Sequence, residues 1–207
     1  MWIRFNRSAA VREAYALYDA GGNGDVIRFC TRHLKEPGAD PELRILRGVA
    51  YSDRLKPDEA YADWKDCCSD PHVGGVAHFY LGNFLREQGL EHHAEAWDHF
   101  ARATELGWVE GHVGKGQMLF DRGCRLRDEA RDTEGAKRCF EEALAELALA
   151  LTSTSRVQGR AMLIRSGVHY ALGDMEACAR DARLEGIVPT VAPRETDLRA
   201  TGAELYG

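Results

Sequence analysis

No stretch of this 207-residue chain approaches the ~20 apolar residues that a membrane-spanning helix requires, and the opening Met1 to Asn6 is too short and too broken by Arg4 to serve as a secretory signal. No window shows the β-branched alternation of a strand, which excludes a sheet-based fold. A concentrated basic surface is missing as well: 27 Lys and Arg are interleaved with 33 Asp and Glu, and the net charge of -6 argues against a nucleic-acid footprint. The six cysteines (Cys30, Cys67, Cys68, Cys124, Cys139, Cys178) contain no C-x-x-C pair, and the adjacent Cys67 and Cys68 are poorly placed to bridge each other. That usage suits free thiols in a reducing compartment. The expected localisation is therefore cytoplasmic, with no nucleic acid and no membrane among the partners. Catalytic signatures are absent too: there is no G-x-x-x-x-G-K-[ST], no G-x-S-x-G and no H-E-x-x-H.

What is present is a period. Ala14, Gly48, Gly82 and Gly116 follow one another at intervals of 34, and each is followed three residues later by a large apolar side chain, Leu17, Tyr51, Leu85 and Leu119. The strings RGVAY (47–51), LGNFL (81–85), KGQML (115–119) and SGVHY (166–170) surround or extend this register. Downstream, a ladder of Ala, aromatic and small residue reads Ala60, Trp64, Cys67, then Ala96, Phe100, Ala103, then Ala136, Phe140, Ala143. A small residue on a first helix lets a second helix cross it closely, and the large neighbours fill the space beside the crossing. With these residues the chain resembles the tetratricopeptide-repeat (TPR) proteins, whose 34-residue helix-turn-helix unit carries a Leu-Gly, Tyr, Ala, Phe, Pro pattern. The stretch 96–120 has the flavour of the Sel-type relatives.

That resemblance implies an all-α fold: a right-handed α-solenoid of about five TPR-like repeats with a C-terminal capping helix, forming a single superhelical domain over residues 1–207. The repeats are expected at about 7–38, 41–70, 73–107, 109–151 and 158–186, with the cap at 193–206. Asp40-Pro41-Glu42, Asp70-Pro71 and Asp174-Met175-Glu176 read as helix starts. Gly38, Gly89, Gly107, Gly123 and Gly173 read as helix ends. The fourth repeat is expected to hold about eight extra residues between its helices, in the charged stretch from Asp121 to Glu134.

Three groups of residues could carry chemistry. The glycines of GHVGKGQ (111–117) mimic a nucleotide loop, but no strand precedes them and Gly116 already belongs to the repeat register. In EHHAEAWDHF (91–100), His92, Glu95 and His99 share one face of a helix and form a candidate metal set. The alternative is a polar outer face beside the buried stripe Ala96, Phe100 and Ala103, and no resident metal or other cofactor is expected. Cys67 and Cys68 could form a redox switch, although Cys67 stands at a small-residue position where a thiol packs as an apolar filler. His78, His112 and His169 read as groove or packing residues rather than general bases.

The resemblance further implies that the first helices of successive repeats line a concave groove for an extended peptide or partner helix. Carried onto this chain, that register selects Tyr15, Tyr18, Asp19, Ser52, Asp53, Asn83, Arg86, Glu87, Gln117, Phe120, Asp121, Arg165 and Val168. In the carboxylate-clamp members of the family, Lys, Asn and Arg grip an acidic C-terminal peptide. Asn83 matches the Asn, but Phe79 stands where the Lys belongs, and Asp53, Glu87 and Asp121 add negative charge, so a partner with basic or apolar anchors fits better. The expected function is a non-catalytic protein-protein interaction adaptor. The alternative is a regulatory or sensor subunit that binds a small ligand or metal and modulates a larger assembly.

Overall fold

The computed structural model describes residues 8–152 and 157–184. The expected capping helix at 193–206 lies outside the described residues. Every regular element among them is helical: α1 (Ala9–Asp19), α2 (Asn23–His33), α3 (Glu42–Asp53), α4 (Pro57–Lys65), α5 (Gly74–Gln88), α6 (His93–Glu105), α7 (Glu110–Asp128), α8 (Thr133–Leu151), α9 (Val157–Leu172) and α10 (Met175–Leu184), with a single 3₁₀ turn at Leu90–His92 before α6. They fall into two compact units, 1–108 and 109–207. In the first, α1 packs on α2, α3 on α4 and α5 on α6, and α2 meets α3 as α4 meets α5. In the second, α7 packs on α8 and α9 on α10, with α8 meeting α9.

Aspartates hold several of the helix starts, Asp174 and Asp40 as the sequence marks them and Asp132 in addition. Asp174 Oδ1 accepts from the Ala177 amide at 3.0 Å, and Asp132 Oδ1 from the Gly135 amide at 2.8 Å, each satisfying a first-turn N–H that has no partner within its own helix. Asp40 Oδ1 accepts from Glu42 N at 3.1 Å. Asp70 organises a turn instead of opening a helix directly: its Oδ1 accepts from His72 N and Val73 N, its carbonyl from Gly74 N, and α5 begins only at Gly74. Gly107 and Gly173 end their helices at φ of 77° and 79°, and Gly21 does the same at 77°; Gly38, expected as a helix end, instead sits at φ 74° in the turn five residues after α2 stops at His33.

The repeat glycines sit at the crossings. A Cβ on Gly82 would lie 2.7 Å from the Phe100 ring, and one on Gly48 would lie 2.8 Å from Trp64 Cδ1. Both rings are buried, and Ala60, Ala96, Ala103 and Ala143 are completely enclosed. In the fourth repeat the expectation for Gly123 is overturned. It lies inside α7, not at its end, buried against Phe140, whose Cδ1 would be 2.7 Å from an added Cβ. Gly116 there meets Leu147 in place of Phe140. The two pairs stand seven residues apart on each helix, Gly116 to Gly123 and Phe140 to Leu147, so two turns have been added to each member of an antiparallel pair. The eight extra residues therefore do not form a charged loop: Asp121 to Asp128 complete α7 and only residues 129–132 connect it to α8.

Candidate functional site

In the second and fourth repeats the residue that precedes a crossing side chain on the second helix is polar and inward-facing, and its partner lies on the first helix. Before Trp64 stands Asp63, which accepts from Arg47 Nε at 2.8 Å and Arg47 Nη2 at 2.6 Å. Before Leu147 stands Glu146, which takes Lys115 Nζ at 2.6 Å and His112 Nδ1 at 2.7 Å. The fifth repeat has the same kind of fork, Arg165 Nε and Nη2 donating to Asp181 at 2.7 and 2.6 Å, with Asp181 2% exposed. These are tethers between the helices of a pair, since bidentate Arg–carboxylate geometry fixes orientation as well as distance.

The third repeat breaks the pattern. Before Phe100 stands His99, and the position of Arg47 and Lys115 is taken by Leu81. His99 is met by His78, which occupies the register of Arg44 and His112 at intervals of 34. Arg44 pairs with Asp66 and His112 with Glu146, but the two imidazoles face each other, Nδ1 to Nδ1, at 2.8 Å, with ring centroids 5.0 Å apart. Cys68 completes the group. One ligand atom from each of Cys68, His78 and His99 lies within 4.8 Å of the other two, and all three residues are half-buried.

Close backbone packing brings Cys68 there. A Cβ on Gly74 would lie 2.8 Å from the Cys68 carbonyl oxygen, so only glycine lets the first turn of α5 settle onto the chain leaving α4. His78 follows one turn later. Burial then shapes the charge. It pushes the His78 imidazole down to about 4, with His99 and Arg102 adding to the effect, and it lowers His99 as well. Both rings are neutral at neutral pH. Burial raises the Cys68 thiol while Lys65 opposes it, and the thiol donates to the Trp64 carbonyl at 3.6 Å.

His92 and Glu95 do not join this group. His92 belongs to the 3₁₀ turn ahead of α6, Glu95 is exposed, and among the described residues the only set of three metal-type ligands that converges is Cys68, His78 and His99. Ligand spacing along one helix selects His99 but not Cys68 or His78, because these three come together from three segments. Cys67 is a packing residue as its position suggests: it is 2% exposed, and burial pushes its thiol up to about 12.

The candidate groove positions separate into several states. Tyr15 Oη donates to Glu42 at 3.1 Å, and Tyr18 Oη donates to Asp53 at 2.9 Å, which ties α1 to α3. Asn23 Nδ2 also donates to Asp53, at 3.4 Å. Asn83 Nδ2 donates to the Phe79 carbonyl, which occupies the amide that a carboxylate clamp needs. Arg86 approaches Glu87 at 3.4 Å, and Gln117 donates to Asp121 at 2.7 Å. Ser52, Asp53 and Glu87 are exposed, as is Asp19. Phe120 and Val168 are not surface residues. Phe120 is 5% exposed with its ring 5.9 Å from that of Phe140, and Val168 is fully enclosed, so both belong to the core of the second unit. The reason is the period: a helix face with a small crossing residue is inward for about a third of a turn on either side, and both fall within it.

No family model matches the chain, and no curated protein matches it. Among solved structures it is similar to TTC0263, a thermophilic TPR protein of Thermus thermophilus, with a TM-score of 0.57 and 16% identity over 95% of this chain and 96% of that one. MamA is matched at a TM-score of 0.47, also at 16% identity, over 92% of this chain and 96% of that one. The likeness to the first establishes the fold of the chain as that of the TPR proteins.

Proposed function

We propose that this TPR-fold chain is a non-catalytic interaction adaptor that receives a peptide or partner helix against its first helices. The observation that carries the reading is the fold itself, helix pairs stacked through their crossings with a polar first-helix face left beside them. In the first unit that face presents Ser52, Asp53, Asn83, Arg86 and Glu87; Gln117, Asp121 and Arg165 hold the corresponding register in the second. Because the Asn83 amide is engaged by its own helix and Asp53 and Glu87 add negative charge to the first-helix register, the partner is a peptide with basic or apolar anchors rather than an acidic tail.

Fluorescence anisotropy against two peptide sets, one basic and amphipathic, the other ending in consecutive acids, tests this directly. Basic peptides are expected to bind with an affinity that falls as salt rises. Changing Asn83 and Arg86 together to Ala should weaken that binding. Unchanged affinity in the double variant would move the interface to the convex face or a terminus, and preference for the acidic set would reverse the charge argument.

A further inference from the structure

We propose that Cys68, His78 and His99 form a binding site for a single zinc-type divalent cation. The argument starts from what packing leaves unexplained. At the equivalent positions of the neighbouring repeats, a cation on the first helix meets a carboxylate on the second, as in Arg47–Asp63 and Lys115–Glu146. Such a pair is complete by itself. In the third repeat both charges are gone and two neutral imidazoles hold each other through one shared proton at 2.8 Å, beside a thiol. A His–His contact is a weak substitute for a charge-assisted tether, whereas two imidazoles and a thiolate are a ligand set suited to a borderline-soft metal.

The three ligand atoms, now all within 4.8 Å of one another, have to converge on the ion, the sulfur closing to about 3.5 Å from each nitrogen. Zinc takes nitrogen at about 2.0–2.1 Å and thiolate sulfur at about 2.3 Å, so two ring nitrogens on a tetrahedral ion stand roughly 3.3 Å apart. The rings must therefore part by about half an ångström from their present hydrogen bond, within reach of side-chain rotation. On binding, the ring that holds its proton on Nδ1 carries it on Nε2 instead, and the Cys68 thiol loses its proton to solvent and its hydrogen bond to the Trp64 carbonyl. Lys65 favours the thiolate. Three protein ligands leave a fourth position for water, and the half-buried setting leaves the site open to solvent. The ion would join the end of α4 to α5 and α6, replacing by coordination the tether that the neighbouring repeats make by charge.

The test uses the full chain, reduced, freed of metal by a chelator and titrated with Co²⁺ and then Zn²⁺. One Co²⁺ per chain is expected, with visible d–d bands of tetrahedral intensity and a thiolate-to-metal charge-transfer band in the near ultraviolet. Zn²⁺ should displace it and raise the thermal midpoint, and chelator should return the midpoint to its starting value. Cys68→Ser, close to isosteric, should abolish the charge-transfer band and weaken binding more than tenfold. His78→Gln should weaken it similarly, with helicity retained by circular dichroism. The H92A/E95Q variant should bind as the parent does. Absence of stoichiometric binding by the parent chain overturns the proposal, as does a cobalt spectrum indifferent to Cys68→Ser or lost in H92A/E95Q.

Discussion

Single residues in this chain differ in what they tolerate according to what they face, and two histidines show it best. His78 and His99 are held neutral by burial, against the charges of Glu105 near the first and of Glu95 and Asp98 near the second; Arg102 pushes His78 further in the same direction. A group whose folded pKa lies below its ordinary value binds its proton more readily when the chain unfolds. Stability is therefore complete above about 6.5 and is lost as pH falls from there through about 4, the value for His78. Metal-free protein should show a lower urea midpoint at pH 5 than at pH 7, and His78→Gln should reduce that difference; equal midpoints at the two pH values would refute the burial argument. Little of this is legible in the sequence. His78 and His99 are 21 residues apart and Cys68 precedes them both, so a search for ligands at helical spacing finds His92 and Glu95 instead. His99 was recognisable as chemistry; its partners depend on a contact between helices that no local pattern encodes.

Helix pairs were legible in large part, because the small and large residues that make a crossing recur at fixed spacing. Gly82 against Phe100 and Gly48 against Trp64 follow from that rule. Replacing Gly82 with Leu should destabilise the chain by about 1–3 kcal/mol through overpacking, read from urea denaturation. Gly123 reads as a helix end for a physical reason: a glycine within a helix and one at its end are alike locally, and the heptad added to α7 and α8 shifts the register that tells them apart. If Gly123 makes room for Phe140, Gly123→Ala should destabilise the chain and trimming the ring with Phe140→Leu should recover part of the loss. Absence of any recovery would detach the two residues. The tethers can be separated in the same way. Arg47→Met strands the buried Asp63 carboxylate and should cost about 3–5 kcal/mol, while R47M/D63L, with neither charge present, should come close to the parent. A double variant as unstable as the single one would mean that the pair itself, and not the stranded charge, carries the energy.

Across the whole chain the cysteines provide the broadest check. All six are free, and burial raises the thiols of Cys30 and Cys67 to about 12. Reaction with a thiol reagent at about pH 8 should reach six equivalents in denaturant, while Cys30 and Cys67 stay unmodified in the folded protein, because the thiolate is the reacting species. Peptide mapping identifies which residues were modified, and early labelling of either one would contradict the burial. The repeat fold is legible because repetition gives each crossing several independent witnesses, whereas a surface place for Phe120 and Val168 follows from one register alone, and both are core. The recurring position ahead of each crossing side chain has a last consequence. Asp63, His99 and Glu146 occupy one socket, ahead of Trp64, Phe100 and Leu147, and the partner on the first helix changes with its contents. Such a socket can be rewritten with a single letter: His99→Asp should turn the imidazole contact into an ion pair with His78, restoring in the third repeat the grammar of its neighbours.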